Sequence, residues 1–189
     1  YLIGFVAVIM ILCYSYGIDV LNKGRDPNKG REIKIALIQP NIDQMVKLNP
    51  RSLYEMLDLL GMMSKSTHSF KPSIIIWPET AVTTFVEKDF AALSKLKEVA
   101  DYNNCYLITG GFHEEKGKIF NSLFVISPGG LIVSRYDKEH LMPFGEYLPF
   151  RNILFPFLRH TKFFDEDETP NNNPVIMRAG DNKIGGLIC

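Results

Sequence analysis

Residues 72–79 read PSIIIWPE: three isoleucines and a tryptophan, closed by a proline and a glutamate. A short β-branched apolar run fits a strand buried on both faces, and a proline, which has no N–H to donate, ends it. The pattern recurs upstream in EIKIALIQPN (32–41), again stopped by proline, and downstream in CYLITGGF (105–112). Two segments with helical spacing lie between. Residues 49–66 set Leu53, Met56, Leu57, Leu60 and Met63 on one face, with Asn49 or Ser52 available as caps. Residues 87–104 set Phe90, Leu93, Leu96 and Ala100 near one face and end in asparagines. This alternation of strand and helix predicts an α/β layer built on an apolar sheet.

Further along, 118–138 holds two strand-like runs joined by Ser-Pro-Gly-Gly, which predicts a β-hairpin, and 174–189 repeats the idea with Gly-Asp-Asn at the turn. The polar, asparagine-rich stretch 159–174 predicts a mobile surface loop. The expected architecture is therefore a mixed sheet with helices outside it.

The N-terminal end differs in kind. Residues 1–18, YLIGFVAVIMILCYSYGI, carry no charge, and as a helix they would rise roughly 27 Å, close to the thickness of a bilayer core. A transmembrane helix over 1–18, a linker over 19–32 and one domain over 33–189 are expected. A signal peptide would need a basic start and a small-residue cleavage site, and neither is visible. Lys23, Arg25, Lys29 and Arg31 outnumber Asp19, Asp26 and Glu32 after the helix, a basic excess that favours the cytoplasmic side for this flank. The first residue is apolar and is not methionine, so both ends are expected to be cuts in a longer polypeptide.

Composition excludes several function classes. Lys+Arg and Asp+Glu are equal at 21 each, which gives no basic surface for nucleic acid. The three cysteines, Cys13, Cys105 and Cys189, show no paired spacing, which argues against a disulfide framework or a zinc site; no metal or cofactor is expected.

Three polar residues fall at strand ends, where α/β proteins place their sites. Glu79 follows IIIWP, Lys138 closes the first hairpin and Cys189 ends IGGLIC. Each has an ordinary explanation: a strand cap, a solvated lysine, a small core hydrophobe. Together they form a set for acyl transfer. A thiol nucleophile needs a base, a carboxylate in an apolar, water-poor pocket can serve as one, and an ammonium can stabilise the oxyanion. No histidine is required, and His68, His113, His140 and His160 are expected to be non-catalytic.

In chain order, IKIALIQPNI (33–42), WPET (77–80), YDKEHLMPFGEYLPF (136–150) and KIGGLIC (183–189) resemble the nitrilase superfamily, and WPET with HLMPFGEYLP is similar to its apolipoprotein N-acyltransferase branch. The resemblance implies an α-β-β-α sandwich, cut after the nucleophile strand and preceded by one transmembrane helix. It implies Glu79 as general base, Lys138 as oxyanion stabiliser, Cys189 as nucleophile and Glu146 as a supporting carboxylate. It also implies a phospholipid acyl donor, an apolipoprotein acceptor and a bacterial inner membrane with the catalytic domain on its extracytoplasmic side, against the flank charges. An amidase acting on a small carbon–nitrogen substrate is the alternative, and a membrane-tethered binding domain is a third possibility. The apolar residues around the lysine, Leu141, Met142, Phe144, Tyr147, Leu148, Phe150 and ILFPFL (153–158), suit either a lipid-contacting surface or core packing. The 189 residues alone are expected to be inactive.

Overall fold

The structure, a computed structural model, describes residues 2–24, 32–47, 49–152, 156, 167–173 and 175–189. Two compact units emerge, Tyr1–Glu32 and Ile33–Cys189.

The first unit contains helix α1 (Leu2–Gly24), which is long and apolar enough over Leu2–Lys23 to cross a membrane. The helix continues to Gly24 instead of ending at Ile18, so the linker expected from residue 19 is helical in its first part. Asp19 and Lys23 explain the extension: four residues apart, they pair at 2.6 Å on one helix face, and the first residue with poor helix propensity after them is Gly24.

The second unit is built on a six-stranded mixed sheet. Its elements are β1 (Ile35–Leu37), the one-turn α2 (Gln44–Lys47), α3 (Leu53–Ser66), β2 (Ile74–Ile76), β3 (Val82–Phe85), α4 (Phe90–Asn103), β4 (Tyr106–Glu115), β5 (Lys118–Ile126) and β6 (Ile132–Asp137). The main path runs β1-β2-β4-β5-β6, with β3 also paired to β4. β1, β2 and β4 are parallel, as helical crossovers require, whereas β4, β5 and β6 form an antiparallel meander. A separate hairpin pairs β7 (Ile176–Ala179) with β8 (Asn182–Gly185).

Period-two alternation divides the core between the two faces of the sheet. Ile75, Leu107, Phe124 and Ile126 face α3 and α4, where Leu57, Leu60 and Leu96 meet them. Ile74, Ile108, Val125 and Tyr136 face the other way and are covered by Met177, Ala179 and Ile188 of the second hairpin and its extension. Each of the wholly buried leucines and isoleucines contributes about 2 kcal/mol relative to exposure. Helices, sheet and hairpin thus stack as consecutive layers of the expected sandwich.

Several expectations need correction. Phe90 is 83% exposed; Ala92, Leu96, Val99 and Ala100 make the inner face of α4, and Asp89 caps it by accepting from Ala92 N at 2.9 Å. β4 runs on past residue 112 because Lys116 and Gly117, both at positive φ, form a tight turn that lets Glu115 pair with Lys118. His113 therefore lies in a strand, buried against Glu87. β3 escaped notice because its threonines dilute the apolar run. Most of 159–174 lies outside the described residues, but 167–171 is docked and not a free surface loop: Thr169 N donates to Ile119 O at 2.7 Å and Asn171 N to Lys138 O at 2.9 Å.

Candidate active site

Glu79 is placed by the segment that ends β2. The buried Trp77 indole donates to Ser64 Oγ at 2.8 Å, and Ser64 Oγ donates onward to Leu60 O at 2.7 Å, tying the strand end to α3. Thr80 takes φ 47°, a left-handed turn that sends the chain across β4. Gly110 makes that crossing possible, since a Cβ there would lie 2.3 Å from Thr80 N. The Glu79 side chain remains 42% exposed, so the water-poor pocket expected for it is not what surrounds it.

Lys138 follows β6 and is buried, its side chain 1% exposed. Backbone bonds hold it from both sides: its N donates to Asn121 O at 2.8 Å and its O accepts from Asn171 N. Its ammonium donates to Glu146 Oε1 at 2.5 Å and to Cys189 O, and lies 4.0 Å from Glu79 Oε1. Burying an ammonium is costly unless it is paired and hydrogen-bonded, and these contacts meet that requirement.

Glu146 owes its position to the turn 142–146. Glu146 N donates to Met142 O at 3.0 Å while Met142 N donates back to Glu146 Oε2 at 2.9 Å. In the surrounding loop Leu148 is core, but Met142, Phe144 and Phe150 are exposed. Of 153–158, only Pro156 lies within the described residues.

Cys189 is brought to the lysine by the hairpin. Ile188 is buried in the core while Leu187 and Cys189 are exposed, and Gly186 rests against the Tyr136 ring, where a Cβ would come within 2.8 Å. The core thiol of this protein is instead Cys105, which burial pushes up to about 11. Cys13 lies exposed on α1. Glu79, Glu146 and the Cys189 carbonyl thus converge on the Lys138 ammonium.

Two residues of the same place escaped the sequence reading. Asn121 is 4% exposed; its Nδ2 donates to Glu79 Oε1 at 3.3 Å. The signal was an amide in the apolar strand run KIFNSLFVI. Glu168 N donates to Glu146 O at 2.8 Å, and burial, together with the charges of Glu146 and Glu79, pushes its carboxyl up to about 7 against the pull of Lys138. Nothing distinguished it within the acidic run DEDET. Glu79, Asn121, Glu146 and Glu168 line a cleft of about 490 Å³. A second, smaller space of about 220 Å³ shares Gln44, Lys47, Glu79 and Thr80 with it and is backed by Ile42, Met56, Leu60 and Ala81.

Residues 34–189 match the carbon-nitrogen hydrolase family. Among curated proteins, the chain is 32% identical over 187 residues to an apolipoprotein N-acyltransferase of Geobacter metallireducens, covering 96% of this chain and 35% of that protein. It is 36% identical over 153 residues to an apolipoprotein N-acyltransferase of Rhizobium leguminosarum bv. trifolii, covering 76% and 28%. The chain thus spans about a third of the length of these relatives. Among solved structures, an amidase from Nesterenkonia sp. shares the fold at a TM-score of 0.58 and 17% identity, over 85% of this chain and 57% of that one. From the strand that begins the sheet to Cys189, the chain belongs to the carbon-nitrogen hydrolase family.

Proposed function

We propose that this chain carries the reacting residues of an N-acyltransferase that moves a fatty acyl group from a phospholipid to the α-amino group of a lipidated N-terminal cysteine on an apolipoprotein. The observation that carries the reading is the Lys138 ammonium, which touches Glu146 and the Cys189 carbonyl and stands 4.0 Å from Glu79. Glu79 takes the thiol proton, and Cys189 Sγ attacks the ester carbonyl of the phospholipid. An S–C bond forms, the C–O bond breaks, and the lysophospholipid leaves with the proton that Glu79 held. Lys138 stabilises the oxyanion of the tetrahedral intermediate, an effect worth several kcal/mol in such sites. Glu146 holds the ammonium in place. The acceptor amine then attacks the thioester, an amide forms and Cys189 is released.

Lipid substrates fit further features. α1 supplies a membrane-spanning anchor, Met142, Phe144 and Phe150 present apolar surface beside the lysine, and the smaller apolar space opens next to Glu79. The active domain lies on the extracytoplasmic face of a bacterial inner membrane in this reading. Full-length protein in detergent, given phospholipid and a diacylglyceryl-cysteine peptide, is expected to release lysophospholipid and acylate the peptide. Release of ammonia from small amides without peptide acylation would favour the amidase alternative instead.

A further inference from the structure

Among the described residues that line the cleft, two acceptor atoms and the Thr83 hydroxyl have no hydrogen-bond partner. Asn121 Oδ1, on a side chain 4% exposed, and Glu168 Oε2 are both buried without a hydrogen-bond partner among the described residues. Such atoms cost about 1–3 kcal/mol each when left unsatisfied, so they mark a place for a donor. The protein's own cations nearby are engaged. Lys138 Nζ serves Glu146 and the Cys189 carbonyl, and Lys47 Nζ donates to Glu79 O at 2.9 Å. The rest of the polar lining includes the Glu79 and Glu146 carboxylates, so the cleft favours a ligand that is cationic and rich in N–H. A primary ammonium, with three donors and one charge, meets both conditions.

We propose that Asn121 Oδ1 and the Glu168 carboxylate seat the protonated amino group of the acyl acceptor beside Glu79, and that Glu168 accepts one of its protons during transfer. The inference rests on the acyl-transfer reading and adds to it the acceptor's site. An ammonium must lose two protons to become an amide. One passes to the Glu79 carboxylate and frees the nitrogen lone pair, which attacks the thioester carbonyl. The N–C bond forms, the C–S bond breaks and Sγ departs as thiolate. The second proton passes to the Glu168 carboxylate. One ammonium, two carboxylates and a thioester thus become one amide, two carboxylic acids and one thiolate. A carboxyl that titrates near neutrality suits this exchange better than one in the ordinary range.

The test is a steady-state comparison of full-length wild-type protein and Glu168→Gln in detergent, with phospholipid donor and a diacylglyceryl-cysteine peptide. Lysophospholipid release follows the first half-reaction and N-acyl peptide follows the second. The seat predicts that in Glu168→Gln the KM for the peptide rises at least tenfold more than the KM for phospholipid. It also predicts that methylammonium competes with the peptide in the wild type and loses at least tenfold in potency in the variant. A peptide KM within twofold of wild type, or equal losses for both substrates, would overturn it. Unmeasurable turnover in the variant is resolved by methylammonium's protection of Glu168 from carbodiimide labelling in the wild type: protection supports the seat, and its absence overturns it. If the wild type itself releases no lysophospholipid, the acyl-transfer reading falls and the seat with it. If it releases lysophospholipid and acylates peptide while Glu168→Gln matches it, the seat alone falls.

Discussion

Lys138 Nζ donates to Glu146 Oε1 at 2.5 Å from a side chain that is 1% exposed, so the pair is a buried charge with one dedicated carboxylate. Removing one partner of such a pair leaves the other charge uncompensated and destabilises by about 3–5 kcal/mol, the more so the deeper that charge is buried. Loss of Glu146 strands an ammonium that is 1% exposed, whereas loss of Lys138 strands a carboxylate that is 16% exposed and still accepts from Met142 N. Glu146→Ala is therefore expected to lower stability by about 3 kcal/mol and Lys138→Met by less, although both abolish activity. Thermal unfolding of the two variants decides, and a larger loss for Lys138→Met would be the wrong order.

Gly110 allows the Glu79 turn to cross β4. A methyl group there meets Thr80 N at 2.3 Å and the Glu79 Cα at 2.9 Å, both backbone atoms that cannot swing aside. Gly110→Ala is expected to cost about 2 kcal/mol in stability and to slow turnover by about a hundredfold through displacement of Glu79, the proposed base. Unaltered kcat with a lowered melting temperature would show that Glu79 tolerates the shift.

Trp77 and Ser64 hold the same turn from below. In Trp77→Phe the indole donor is lost while Ser64 Oγ stays buried, which costs about 1–2 kcal/mol. Combined with Ser64→Ala, the two losses should fall short of their sum by about 1 kcal/mol in a double-mutant cycle. Strict additivity would mean that the hydrogen bond does not couple α3 to the Glu79 segment.

Stability should also depend on pH through Glu168. Its folded value, about 7, lies above the ordinary 4.5, so the native state binds the proton more tightly than the unfolded chain. The stabilisation is full below about 4.5 and is lost as pH rises through 7. Because the group is partly exposed, the change is on the order of 1 kcal/mol after screening. A melting series from pH 5 to 8 should slope downward from this source in the wild type and lose that component in Glu168→Gln; identical slopes would contradict it.

Strand endings explain why much of the candidate site was legible. Glu79 and Cys189 each follow an apolar run and Lys138 closes a hairpin, features that can be recognised from their neighbours alone. Glu79 and Lys138 follow strands of one sheet, and the separate hairpin that packs on that sheet brings the Cys189 carbonyl to the ammonium. Helical spacing alone does not separate Phe90, exposed in the first turn of α4, from Ala92, Leu96, Val99 and Ala100 on its buried face. Glu168 was illegible because its burial depends on backbone bonds from Glu168, Thr169 and Asn171 to distant residues, made by a segment with no periodicity of its own. Asn121 lay between the two: its polarity inside a strand was visible, but its target, Glu79, is 42 residues away.

The central claim is that Cys189 carries the acyl group. Full-length protein incubated with phospholipid without acceptor, then digested and analysed by mass spectrometry, should carry one acyl chain on Cys189, removable by hydroxylamine and absent in Cys189→Ala. Cys13 and Cys105 should remain unmodified. An acyl chain on another residue, or a Cys189→Ala variant that still transfers acyl groups to peptide, would contradict the account.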